Sequence, residues 1–199
     1  MECSPSNDGG IGNGDRRAAC PTVPSQGTPA GISEEIFDVV NERDEVIGRQ
    51  SRSEVHRLGP RHRAVHILVF NRQGEIFLQK RSPWKDRQPG VWDSSASGHL
   101  NSGEDYDAVA VREVSEVLGC RLAASQQRLF KIHACAETDQ EFVWAYRGAA
   151  EGPFILPPEE IERGDWFAPA EVSRWISERP QDFASTFPLI WSRLERSNS

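Results

Sequence analysis

The chain has 199 residues, enough for one domain with a real core; 37 % of them are hydrophobic and the formal net charge is −7. The negative balance argues against broad affinity for nucleic-acid phosphate, which needs a basic patch, but not against a nucleotide held through a metal. No window approaches the ~20 apolar residues of a membrane span, and the N-terminus MECSPSNDGGIGNGDRR lacks the apolar stretch of a secretory signal, so a cytoplasmic location is expected.

Residues 1–33 are rich in Gly, Ser, Pro, Asn and Asp and nearly free of large apolar side chains. They cannot bury enough surface to offset the entropy of ordering, which predicts a disordered tail. Two strand-like runs, IFDVVN and EVIGRQ, predict a hairpin around Glu42-Arg43-Asp44. SRSEVHRLG predicts a short helix that starts at a Ser cap and stops at Gly59, so residues 34–60 form an N-terminal hairpin and helix. HRAVHILVF (62–70) is a near-continuous apolar run, as expected of a central strand. A turn at Asn71–Gly74 leads to its hairpin partner EIFLQKR (75–81), and SPWKDRQPG (82–90) is a loop held by two prolines.

VWDSSASG (91–98) is expected to be a strand, and Asp105 to Leu118 a helix ended by Gly119. RLFKIHAC (128–135) and EFVWAYRG (141–148) predict an antiparallel pair, and Asp165-Trp166-Phe167 a short strand. Pro169–Arg179 and Asp182–Arg196 predict amphipathic helices, with Pro188 starting or kinking the second, and 193–199 is expected to end as a tail. Strands around one central helix, with helices at the end, give an α/β class with a mixed sheet sandwiched between helices. The four cysteines, Cys3, Cys20, Cys120 and Cys135, show no metal-ligand spacing and read as buried or idle thiols of a reducing compartment.

The stretch GHLNSGEDYDAVAVREVSEVLGC (98–120) carries the chemistry. At about 100° per residue, Ala110, Val111, Val114, Val117 and Leu118 share a face expected to pack on the sheet. Arg112, Glu113 and Glu116 cluster on another, with Glu113 and Glu116 one turn apart. Two like charges at that spacing repel unless a cation sits between or near them, and a hard divalent ion with oxygen ligands is the natural partner. Such an ion would neutralise a diphosphate, polarise a phosphoryl oxygen and lower the pKa of an attacking water. The pair alone would read as a solvated acidic helix face; the full spacing, with Gly98, Glu104, Arg112-Glu113 and Gly119, reverses that in favour of the metal.

That spacing resembles the Nudix box of the Nudix hydrolases, G-x5-E-x7-R-E-U-x-E-E-x-G-U with U apolar. The resemblance covers 61–192, taken as the Nudix domain. It implies an α/β/α sandwich, a Mg²⁺ or Mn²⁺ cofactor, and cleavage of a diphosphate linkage in a small organic substrate. It further implies that Arg112 holds Glu104, that Glu113 and Glu116 are metal ligands or base, and that the Gly98 carbonyl contributes. Val117 stands where the pattern has an acid. Either other acids or histidines complete the site, or the domain is degenerate and binds a ligand without turnover.

Candidates to complete the site are His62, His66, His99 and Glu141; His62 and His66 share strand parity and point to one face. The longer run from His62 to Leu100 resembles the isopentenyl-diphosphate isomerase branch of the same superfamily. That likeness implies a divalent metal on His62, His99 and Glu141, with Asp139 at the position of a further acid. The isomerase chemistry itself needs a Cys before the box glycine, whereas this chain has Ser97, and its Asn-bearing motif is replaced by Asp93-Ser94-Ser95. Shared scaffold rather than shared reaction is therefore expected. Arg81 and Lys85, beside Lys80, are placed to hold terminal phosphates, and Trp84 or Trp92 to stack a ring.

Overall fold

The computed structural model describes residues 34–122 and 126–198, so the tail read over 1–33 lies outside the described residues. Strands β1 (Ile36–Val40) and β2 (Val46–Ser51) form an antiparallel two-stranded sheet. Helix α1 (Arg52–Leu58) follows at once, because Ser51 accepts from the Glu54 N–H while the Glu54 side chain reaches back to the Ser51 backbone.

Among the described residues the main sheet has seven strands and is built around β3 (His62–Phe70). β3 runs parallel to β8 (Glu141–Ala149) and antiparallel to β6 (Ala96–His99). β4 (Ile76–Arg81) meets β3 only at Phe70–Ile76, then diverges to pair with β5 (Trp92–Asp93) and β9 (Ile161–Phe167). Ser95 sits where β3 and β4 part. Its hydroxyl accepts from the Val69 N–H at 2.8 Å and donates to the Phe77 carbonyl, satisfying backbone groups the separation would orphan. This splits the expected single strand over 91–98 into β5 and β6. β7 (Gln127–Ile132) pairs antiparallel with β8 and ends before Cys135.

Alternation along β3 feeds two cores. Ala64, Leu68 and Phe70 pack with Val172 of α3 (Pro169–Glu178) and with Phe187, Ile190, Trp191 and Leu194 of α4 (Thr186–Asn198). Val65, Ile67 and Val69 pack under Val109, Ala110, Val114 and Leu118 of α2 (Tyr106–Leu118). Each Val, Leu, Ile and Phe among these contributes about 1.5–3 kcal/mol by burial. The result is an α/β/α sandwich with a mixed sheet.

Several boundaries differ from expectation. Val111 is exposed, since the stripe of α2 that reaches the sheet stops at its edge. β9 has seven residues rather than three; its outward charges and Gly164, whose missing Cβ leaves room for the Phe77 ring, hid it. A 3₁₀ turn at Pro180–Asp182 precedes α4, Pro188 lies in the first turn, and the helix continues through the stretch expected as a tail, with Leu194 buried.

Candidate active site

The loop from β6 into α2 is organised by one arginine. Arg112 lies 3.2 Å from Glu104, 2.9 Å from Glu113 and 3.0 Å from Glu116, and donates to the His99 carbonyl at 3.1 Å. Glu104 in turn accepts from the Asn101 N–H at 2.7 Å, closing the loop onto itself. Asp105 caps α2 by accepting from the Asp107 and Ala108 N–H groups, which fixes where the acids emerge.

The two box glutamates do not share one open face as expected. Glu116 is exposed, but Glu113 is buried against Gly98. A Cβ on residue 98 would lie 2.1–2.3 Å from the Glu113 carboxyl atoms, so this position has room only for glycine. Burial pushes the Glu113 carboxyl up to about 8, with Arg112 pulling the other way. Val117 packs against the α2-side core and also lines the cleft.

A second cluster lies on the opposite face of the sheet. His62, His99 and Glu141 bring one donor atom each to within 4.8 Å of one another. Register explains this: His62 pairs with Glu141 on the adjacent strand, and His99 pairs with Ala64, two residues along β3 from His62. His99 Nε2 is 2.8 Å from Glu141 Oε1. His62 Nδ1 is 3.0 Å from the Pro60 carbonyl, an acceptor, so the ring proton sits on Nδ1. That leaves the His62 Nε2 lone pair buried without a hydrogen-bond partner, 3.6 Å from Glu141 Oε1.

Sequence reasoning missed His56. It sits in the last turn of α1 with neither ring nitrogen hydrogen-bonded, its centroid 5.2 Å from that of His99 and 5.8 Å from that of His62. Burial, with His99 and His62 adding to it, lowers its pKa to about 4, so its lone pair is available at neutral pH. Buried Phe37 of β1 backs all three rings, stacking on His99 at 4.8 Å and His62 at 6.0 Å and meeting His56 edge-on at 6.4 Å. The available signal was scarcity: of five histidines in the chain, three fall between 56 and 66.

Both clusters open onto one cleft of about 360 Å³. Its cations are neutralised. Arg52 is 3.0 Å from Glu35, Arg81 is 3.4 Å from Asp93, Lys85 pairs with Glu160 and Arg87 with Asp139. Arg81 and Lys85 therefore reach the cleft as expected, but each with an acid attached; Trp84 is largely exposed and Trp92 is buried in the core.

A mixed sheet between helices thus carries acids gathered behind a glycine on one side and, on the other, two imidazoles and a carboxylate whose donor atoms could hold a metal ion. The NUDIX domain profile matches residues 60–187. A relative in Yersinia pestis named an uncharacterized Nudix hydrolase is 34 % identical over 170 residues, covering 83 % of this chain and 90 % of its own. An isopentenyl-diphosphate Delta-isomerase of Serratia proteamaculans is 31 % identical over 164 residues, covering 81 % and 92 %. A crystal structure from Deinococcus radiodurans superposes with TM-score 0.66 at 31 % identity, covering 72 % of this chain and 90 % of that one. The chain belongs to the Nudix hydrolase family.

Proposed function

We propose that this protein is a divalent-metal-dependent hydrolase that cleaves a diphosphate linkage in a small organic substrate, with Mg²⁺ or Mn²⁺ as its cofactor. The observation that carries the reading is the His62 lone pair facing the Glu141 carboxylate at 3.6 Å. Two electron-rich buried atoms in that arrangement call for a cation between them. His62, His99 and Glu141, with His56 beside them, would hold one ion; Glu113, Glu116 and the Gly98 carbonyl would hold another near the substrate phosphates. When bound, such ions supply charge neutralisation and a more acidic water.

The chain's own groups do the rest. Glu113 and Glu116 are the catalytic carboxylates, one accepting the proton of the attacking water. Arg112 and Glu104 brace the loop that presents them. Arg81 and Lys85 grip the phosphates, Lys85 exchanging Glu160 for phosphoryl oxygens and Arg81 keeping Asp93 as a second partner. The functional unit on this reading is the domain over 61–192, with residues 34–60 adding Arg52 and His56 to the cleft. A cytoplasmic location fits two unpaired thiols, Cys120 and Cys135, and no helix among the described residues is long and apolar enough to cross a membrane.

The test is phosphate or nucleotide release from a panel of diphosphates with Mg²⁺ or Mn²⁺, comparing wild type with Glu113→Gln and Glu116→Gln. Losses on the order of 10²-fold or more are expected for a lost catalytic carboxylate. Equal activity in all three proteins removes the assignment. A second reading, a ligand-binding module without turnover, is favoured by Val117 lining the cleft where the box pattern has an acid. If wild type turns over no diphosphate while Val117→Glu gains activity, that reading replaces the first. Conversion of isopentenyl diphosphate to its allylic isomer is disfavoured by Ser97, whose hydroxyl cannot readily replace a thiol in moving a carbon-bound proton.

A further inference from the structure

The floor of the cleft holds a polar assembly that neither cluster uses. His66 and Ser97 are register partners on β3 and β6, and both line the cleft. His66 is only 5 % exposed, with Nδ1 2.8 Å from Ser94 Oγ and 3.6 Å from Asp93 Oδ1. Ser94 is fully buried, and its hydroxyl has the Ala96 carbonyl at 3.3 Å and Asp93 Oδ1 at 3.4 Å as acceptors, leaving its oxygen to receive a proton from the ring. Asp93 is itself buried and fixed through its other oxygen by Arg81, which donates in turn to the Gln88 and Arg87 carbonyls.

Surrounded by acceptors, Nδ1 carries the ring proton. Burial disfavours a second proton, aided by Arg81 and His99 and opposed by Asp93 and Glu141. Its Nε2 is then a lone pair with no hydrogen-bond partner among the described residues. A buried histidine held in one tautomer at the bottom of a cleft is poised to accept a hydrogen bond from whatever enters.

The rest of the lining indicates what enters. Apart from Gly98, its apolar contributors are only Ala64, Val117, Pro157 and Ala184, whereas Ser97, Gln88 and Thr186 add further hydrogen-bonding side chains. A hydrocarbon chain would dehydrate these groups and return nothing. Building on the hydrolase reading above, we propose that His66 is a specificity-determining residue. Its Nε2 accepts a hydrogen bond from a hydroxyl on the organic part of the substrate, so that the cleft selects hydroxyl-bearing, sugar-like diphosphates over isoprenyl diphosphates.

The test measures affinity by calorimetry on the full chain, with Ca²⁺ as a non-supporting ion, for ADP-ribose and for isopentenyl diphosphate. Wild type is compared with His66→Phe, which keeps a ring but no acceptor, and His66→Gln, whose amide can reach the Nε2 position. Wild type should favour ADP-ribose; His66→Phe should weaken ADP-ribose by about tenfold with little effect on isopentenyl diphosphate, and His66→Gln should recover most of the loss. Equal loss for both ligands, no loss for either, or a wild-type preference for isopentenyl diphosphate overturns the proposal. If folded wild type binds neither diphosphate, the hydrolase reading falls and takes this one with it; if it binds both and His66→Phe changes neither, only the role of His66 falls. Should His66→Phe not fold, Ser94→Ala, which releases Nδ1 while keeping the imidazole, must shift the ratio of the two affinities or the idea is wrong.

Discussion

Gly98→Ala isolates the contact on which the box depends. The new methyl would sit 2.1–2.3 Å from the Cδ, Oε1 and Oε2 atoms of Glu113, a distance no real Cβ tolerates. Gly98 has no positive φ, so backbone strain adds nothing and the cost is the contact itself. Glu113 cannot yield freely, because it is buried and 2.9 Å from Arg112. Overpacking of this kind costs about 1–3 kcal/mol. For a domain of this size that is a fall in Tm of roughly 2–12 °C, at about 2–4 °C per kcal/mol. In a Glu113→Ala background the obstacle is gone, so the same glycine change should cost close to nothing, giving a coupling energy of about 1–3 kcal/mol. Thermal or urea unfolding of the four proteins measures it. If Gly98→Ala costs as much without the Glu113 carboxylate as with it, the account of why the box begins with glycine is refuted.

Other consequences follow from the buried polar groups. His56→Phe should raise the stability of the metal-free protein by about 1–2 kcal/mol, since two buried nitrogens without hydrogen bonds are removed, while weakening Mn²⁺ binding at least about tenfold; unfolding in chelator and calorimetry with Mn²⁺ read the two effects, which must have opposite sign. Phe37→Ala, which removes the ring behind three imidazoles, should cost about 3–5 kcal/mol and also lower metal affinity, checked by the same pair of measurements. Glu113 gives a pH dependence. Its folded pKa, about 8, exceeds the ordinary 4.5, so the folded state binds more protons in that window and stability of the metal-free protein should fall as pH rises from about 4.5 to 8, then level off. Urea unfolding in chelator should show that slope in wild type and its reduction in Glu113→Gln; an unchanged slope removes Glu113 as its source.

Much of this was legible because it is local. The apolar run 62–70 and the helix between Asp105 and Gly119 are set by periodicity and caps, and the structure places them within a residue of the expected limits. The box spacing and the three donor residues His62, His99 and Glu141 were likewise readable from resemblance, and the structure brings their side chains together. What failed was whatever depends on a partner far away in sequence. β9 reads as polar because it lies along β4 with its charges outward. Ser95 reads as a strand residue, yet it stitches β3 to β4. Helical angles put Glu113 among the surface acids, because its burial is decided by Gly98 on another element. His56 was missed because nothing local announces that a short surface helix ends beside β3.

The dipeptide Gly98-His99 explains how one short strand serves two chemistries. Successive residues of a strand face opposite sides. Gly98 turns to α2, where its lack of a side chain admits the Glu113 carboxylate; His99 turns to the other face, where it joins His62 and Glu141. Ser97 shares the His99 side and therefore meets His66 rather than the box. A one-residue slip of β6 would put either His99 against Glu113 and Leu100 among the imidazoles, or Ser97 against Glu113 and Gly98 among the imidazoles, destroying both clusters at once. Register must accordingly be held firmly, and it is: Ser95 anchors one end of β6 through Val69 and Phe77, and Arg112 grips the His99 carbonyl at the other. Arg112 thereby does more than neutralise the box acids, because the arginine that positions Glu113 and Glu116 also fixes the strand that positions His99. The two clusters are mechanically one site, and a change at Arg112 should disturb the imidazole face as well as the acids it touches.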